Sequence, residues 1–182
     1  MRRREFITLI GGMAAWPLAA RAQQGERVRR IAVLALDDAD NRASYAAFLQ
    51  AFQQLGWIDG QTVRIDTRWA GGSASNLRKY ATDIVALAPD VIFANATAAM
   101  TPLLQATHTV PIVFANVADP VGAGFVETMA RPGGNTTGFI QFEYSLSGKW
   151  VELLKQIAPS VTRVAVLRDA AITSAIGQFA VI

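Results

Sequence analysis

The sequence predicts an α/β fold: a doubly wound parallel sheet, followed by the start of a second α/β lobe. Three observations carry this prediction. Short, near-continuous apolar runs rich in β-branched residues recur along the chain, as in strands buried on both faces. Between them lie longer segments whose apolar residues repeat at three- and four-residue spacing, as on one face of a helix. The two kinds of segment alternate, which is the order that builds a parallel sheet with helices on both faces.

Arg30 to Leu36 is the first buried strand. Asp37, Asp38 and Asp40 follow and can cap a helix. In that helix Tyr45, Phe48, Leu49, Phe52 and Leu55 form an apolar face, and Gly56 ends it. Thr62 to Trp69 alternates, with Val63, Ile65, Thr67 and Trp69 on one face and Arg64, Asp66 and Arg68 on the other. That half-exposed pattern suits a sheet edge. Leu77, Tyr80, Ala81, Ile84, Val85 and Ala88 make a second helical face, stopped by Pro89.

Asp90 to Ala94 and Pro111 to Ala115 are short buried strands flanking a helix from about Ala98 to Thr107. A short helix is expected over Gly122 to Ala130 and a fifth strand over Asn135 to Phe142. Leu146, Trp150, Leu153, Leu154 and Ile157 form another helix face, closed by Pro159. Arg163 to Leu167 reads as a further buried strand, and the chain reaches Ile182 within a helix-like segment. A five-stranded domain is complete by about Phe142. The expected organisation is therefore an α/β lobe over residues 23–142, with residues 143–182 as the crossing to, and incomplete start of, a second α/β lobe.

The 182 residues are 52% hydrophobic and 17% charged, which excludes a disordered chain and suffices for a core. The absence of cysteine excludes a disulfide scaffold, a thiolate metal site, a cysteine nucleophile and a lipid-tethering cysteine. The net charge of +3 comes from the first 22 residues. Arg2, Arg3, Arg4 and Arg21 stand there against Glu5 alone, leaving 13 of the 17 basic and 13 of the 14 acidic residues for the body. A neutral body offers no electrostatic footprint for nucleic acid.

Residues 1–22 have the parts of an export signal: a charged front, an uncharged apolar run from Ile7 to Ala20, and Ala20-Arg21-Ala22 as a cleavage site before Gln23. The run is about half of the ~20 residues a membrane-spanning helix needs. Arg3-Arg4-Glu5-Phe6-Ile7 also resembles a twin-arginine signal. The mature chain is expected in the periplasm.

In an open parallel sheet, ligands bind beyond the carboxyl ends of the strands, where the strand order reverses. Three polar segments should meet there: Asp37-Asp38, Asn95-Ala96-Thr97, and Asn116 to Pro120. Asn95, Thr97, Asn116, Asp119 and Asp37 are the candidate ligand-binding residues. Thr97 and Asp119 are also plausible helix N-caps, and Asp37 and Asp38 suit a solvated loop. Asn95 and Asn116 each stand one residue past a buried strand.

Motifs for catalysis are absent. His108 is the single histidine, in a polar turn, so a histidine metal site has no second ligand. Gly122-Ala123-Gly124 begins like a dinucleotide fingerprint, but Glu127 stands where the third glycine belongs. Gly148-Lys149 has Glu143 where a phosphate loop needs glycine, and Ser73 lacks the glycine pair of a nucleophile elbow. Asn135-Thr136-Thr137 matches a glycosylation acceptor, a frequent chance match. No enzyme and no cofactor are expected.

Three consecutive blocks carry a family resemblance: Val110-Pro111-Ile112-Val113-Phe114, Asp119-Pro120-Val121-Gly122-Ala123-Gly124-Phe125-Val126, and Ala130-Arg131-Pro132-Gly133-Gly134-Asn135-Thr136-Thr137-Gly138. The leader and Leu55-Gly56-Trp57 with Gly60 and Val63 agree with them. Together they resemble the substrate-binding proteins of bacterial ABC transporters, with the type I periplasmic-binding-protein fold. Thr97 matches a family Thr or Ser that opens the third helix, although the usual proline after it is Ala98 here. The glycines Gly133, Gly134 and Gly138 are expected to take backbone angles other residues avoid.

The resemblance implies two α/β lobes on a hinge that close on a small organic solute, an amino acid in some members, for delivery to a membrane permease. It implies no catalysis and no cofactor. It also implies roughly another lobe after Arg163, so Val161 to Ile182 is expected to expose apolar surface. Two other readings differ in class. One is a periplasmic sensing domain that passes ligand binding to a receptor. The other is a small enzyme on a flavodoxin-like sheet, with Asp37-Asp38 holding a metal; the third strand ends in Ala94-Asn95 and offers that mechanism no aspartate.

Overall fold

A computed structural model of the protein describes residues 28–167 and 173–182. The export signal read at residues 1–22 lies outside the described residues. Among the described residues five strands form one parallel sheet: β1 (Arg29–Ala35), β2 (Val63–Trp69), β3 (Val91–Asn95), β4 (Ile112–Val117) and β5 (Thr136–Ile140). Their order is β2-β1-β3-β4-β5. The chain steps from β1 to β2 on one side, then returns past β1 to β3 on the other. The reversal falls between β1 and β3, and this is where such a sheet opens a crevice at its carboxyl edge.

Helices α1 (Ala39–Gln54), α2 (Ala74–Ala86) and α3 (Thr97–Ala106) fill the connections between the strands. Strand side chains alternate between faces, so the sheet carries two cores. On one face Ala32, Leu34, Ile92, Ala94, Ile112 and Phe114 pack with α2 and α3 through Leu77, Ala81, Ile84, Met100 and Leu103. On the other, Ile31, Val33 and Val63 meet Tyr45, Phe48 and Phe52 of α1. Phe48 stacks on Phe93 of β3 at 4.7 Å between ring centroids, which fixes where α1 crosses the sheet. Strand β2 is the edge strand that its alternation predicts.

Residues from Gly122 to Ala130 form turns, where a short helix was expected. A single turn does form, with the amides of Ala123 and Phe125 donating to the Asp119 and Pro120 carbonyls at 2.9 and 2.8 Å. Gly124 then takes a φ of +73°, which no continuing right-handed helix accommodates. Among the three glycines read as conformational, Gly133 has a left-handed φ of +84°. Gly138 is needed for a different reason: a Cβ there would fall on the Phe114 carbonyl oxygen of β4.

Two helices follow the sheet, α4 (Leu146–Ile157) and α5 (Thr173–Ala180). The apolar face of α4 is open: Trp150, Leu153, Leu154 and Ile157 are exposed, Ile157 to 81%. Arg163 to Leu167 is not a strand, and Leu167 is 99% exposed. A strand exists only against a neighbour that takes its backbone hydrogen bonds, and no described strand lies beside it. No helix among the described residues is long and apolar enough to cross a membrane.

Candidate functional site

The carboxyl ends of four strands lie in one row. Ala35 pairs with Trp69 on one side and with Asn95 on the other, and Asn95 pairs with Ala115. The segments after β1, β3 and β4 leave the sheet from this row, as the sequence predicts.

Asn95 is fully buried at the end of β3. Its Nδ2 donates to the Asn41 carbonyl of α1 at 3.3 Å, and its Oδ1 accepts from Asn116 Nδ2 at 2.7 Å. Asn116 Nδ2 also reaches Ser44 Oγ at 3.0 Å. The two asparagines therefore bolt the ends of β3 and β4 to the first turns of α1. Asn116 owes its position to a bulge. Phe114 pairs with Gly138 and Val117 with Ile140, so β4 spends one residue more than β5 over this stretch. Asn116 adopts a φ of +55° in the bulge, a left-handed value that asparagine tolerates better than most residues.

Thr97 is the first residue inside α3, and the N-cap is Ala96, not Thr97. Ala96 sits at φ +119° and ψ 150°, a region that costs a non-glycine residue about 1–3 kcal/mol. Thr97 Oγ1 is turned to the neighbouring loop, where it accepts from the Ala118 amide at 3.0 Å. The start of α3 and the loop after β4 are thereby held side by side. With no side-chain cap and no acidic residue in its first turn, α3 presents the positive end of its dipole uncompensated.

Asp119 caps a turn instead of a helix. At φ +36°, its Oδ1 accepts from the Gly122 amide at 2.7 Å and its Oδ2 from the Tyr144 amide at 3.0 Å. It ties the β4 loop to the segment beyond β5. Burial, and then the Asp119 carboxylate beside it, push the Tyr144 hydroxyl above its ordinary pKa.

Asp37 does not join the asparagine cluster. It accepts from Arg42 Nε at 2.6 Å, and the Arg42 guanidinium lies over the Trp69 ring, 5.0 Å from its centroid. Asp38 is the N-cap of α1, its Oδ1 accepting from the Asn41 amide at 2.9 Å. His108 lies past the far end of α3 and is exposed, at the opposite edge of the sheet from this row.

Asn41 and Ser44 join this asparagine cluster and were not singled out from the sequence. Asn41 is buried, its Nδ2 donating to Asp38 Oδ2 at 2.7 Å, and its Oδ1 is enclosed with no hydrogen-bond partner among the described residues. The available signal was spacing: polar residues three apart, directly after a capping aspartate, occupy one face of a first helical turn.

A family model described as ABC transporter substrate binding protein matches residues 30–180. Over 120 residues the chain is 31% identical to the tyrosine-binding protein of Clostridioides difficile, covering 66% of this chain and 34% of that one. A conserved domain protein from Vibrio cholerae superposes with a TM-score of 0.75 at 30% identity, over 85% of this chain and 52% of its own. The ABC domain in complex with L-Trp from Streptococcus pneumonia gives 0.72 at 27% identity, over 84% and 51%. The chain thus spans about half of these solved chains and a third of the curated relative. With the parallel sheet, the reversal point and the polar row already in place, the chain belongs to the family of ABC transporter substrate-binding proteins.

Proposed function

We propose that this chain is the first lobe of an exported substrate-binding protein that captures an amino acid with an aromatic side chain for an ABC uptake system. The observation that carries the reading is the pairing, at the switch point, of an uncapped α3 N-terminus with the Asn95–Asn116 amide pair. The first amides of α3 suit a carboxylate. The Thr97 to Ala118 hydrogen bond keeps the asparagine loop alongside, within reach of the same small molecule. The tyrosine-binding relative and the L-Trp complex supply the side-chain class.

On this reading residues 23–142 form the lobe and residues 143–182 lead through a hinge toward a second one. Residues 1–22 direct export to the periplasm, and a membrane permease receives the solute. Asn95, Thr97, Asn116 and Asp119 shape the site, and Asp37 forms its rim through Arg42. The chemistry is binding, without catalysis.

The test is thermal unfolding against a panel of amino acids, sugars and organic acids. A ligand at about 100 times its Kd adds roughly 2.7 kcal/mol to the folded state, or about 5–10 °C in a chain of this size. A shift confined to aromatic amino acids supports the proposal. A shift with sugars alone, or with nothing, refutes it.

A further inference from the structure

The hydrogen bonds of the asparagine cluster have a direction, and that direction is set at one end. The Asn41 main-chain carbonyl can only accept, so the atom Asn95 offers it is Nδ2. Asn95 Oδ1 then faces Asn116, which must answer with its own Nδ2. The same Nδ2 serves Ser44 Oγ, so both donor positions of the Asn116 amide are spent within the protein. What remains is Asn116 Oδ1, an acceptor that no described residue engages, at the half-buried end of β4. A second acceptor of the cluster, Asn41 Oδ1, is enclosed without a partner. The Asn116 amide thus offers a ligand one open acceptor and no free donor.

We infer that Asn116 Oδ1 receives the ligand's ammonium group, so that this site selects amino acids over the 2-hydroxy acids of the same shape. The inference rests on the amino-acid reading above and adds the group that enforces it. An ammonium supplies three donors and a charge, which matches the open amide oxygen of Asn116. A hydroxyl supplies one neutral donor, and a hydrogen bond from a charged group is roughly twice as strong. The bulge in β4 has a role in this arrangement: it turns Asn116 at +55° so that its amide can meet both Asn95 and Ser44.

The test is calorimetric titration of the 182-residue chain with L-tyrosine and with the 2-hydroxy acid bearing the same side chain. The wild-type chain is expected to prefer the amino acid about tenfold or more. Asn116→Gly, which tolerates the left-handed φ, should lose that preference while still binding the hydroxy acid. Asn116→Asp keeps an oxygen toward the ligand and should retain the preference, at a lower Tm because its other carboxylate oxygen faces Asn95 Oδ1. A wild-type chain that binds both ligands within twofold overturns the inference, whatever the variants do. So does an equal loss for both ligands in Asn116→Gly, which would reduce Asn116 to a loop-shaping residue and leave the amino-acid reading standing. Binding of neither ligand by the wild-type chain overturns the amino-acid reading, and this inference with it.

Discussion

Replacing Asn95 by aspartate changes one atom's chemistry at a fully buried position and asks which way the amide cluster runs. The side chain keeps its shape. Its Oδ1 can still accept from Asn116 Nδ2 at 2.7 Å. The other oxygen, however, replaces a donor 3.3 Å from the Asn41 carbonyl, setting two acceptors face to face. A protonated carboxyl restores the donor, whereas a carboxylate cannot. Burial and the facing carbonyl therefore raise the new group above the ordinary carboxylate value of about 3.9.

The sign follows from proton counting. Between the unfolded and the raised folded value the native state binds more protons than the unfolded one, so stability falls as pH rises. The slope is about 1.4 kcal/mol per pH unit. From pH 5 to pH 7 the variant should lose up to about 2.7 kcal/mol relative to wild type, or roughly 5–10 °C in Tm. The assay is thermal unfolding of both proteins at pH 5, 6 and 7. A pH-independent difference, or a variant that gains stability with pH, would refute the reasoning, because it would mean that Asn95 meets two donors.

Three further outcomes are expected. Ala96→Gly should raise Tm by a few degrees, since glycine relieves a φ of +119° that costs alanine about 1–3 kcal/mol; a fall would show that Ala96 is not strained. Gly138→Ala should destabilise by about 2–3 kcal/mol, measured by urea unfolding, because its methyl group meets the Phe114 carbonyl in the adjacent strand; a neutral result would mean that β4 and β5 separate freely. Ile157→Lys, at a side chain 81% exposed, should change stability by less than about 0.5 kcal/mol while lowering binding of an apolar-surface dye; a large destabilisation would show that α4 packs inward.

The sheet was legible because its signals are local. Arg30 to Leu36 reads as a buried strand since Ile31 to Ala35 are buried between the helix layers, and Thr62 to Trp69 reads as an edge because only Val63 in it is buried. The segments that form the polar row were legible for the same reason, since each lies at the end of a buried strand, although Asn95 closes β3 and Asn116 sits inside β4 and not one residue past them. Hydrogen-bond partners were not. Nothing in the sequence says that Thr97 turns to Ala118 while Ala96 bears the cap geometry, because that depends on loops 21 residues apart, or that Asp37 pairs with Arg42 five residues on instead of joining the cluster. Asn41 and Ser44 were hidden inside a helix read for its apolar face alone. The Gly122 to Ala130 helix failed on Gly124, whose left-handed φ outweighs the apolar spacing around it. Arg163 to Leu167 has the composition of a strand, but composition cannot supply the neighbouring strand it needs.

The central claim is that an amino acid binds at the ends of β3 and β4, between the start of α3 and Asn116. Amide NMR of the 182-residue chain on addition of L-tyrosine or L-tryptophan tests it most directly. The account predicts saturable shifts concentrated at Asn95 to Ala98 and Asn116 to Asp119. Saturable shifts centred elsewhere, or none with either amino acid, would contradict it.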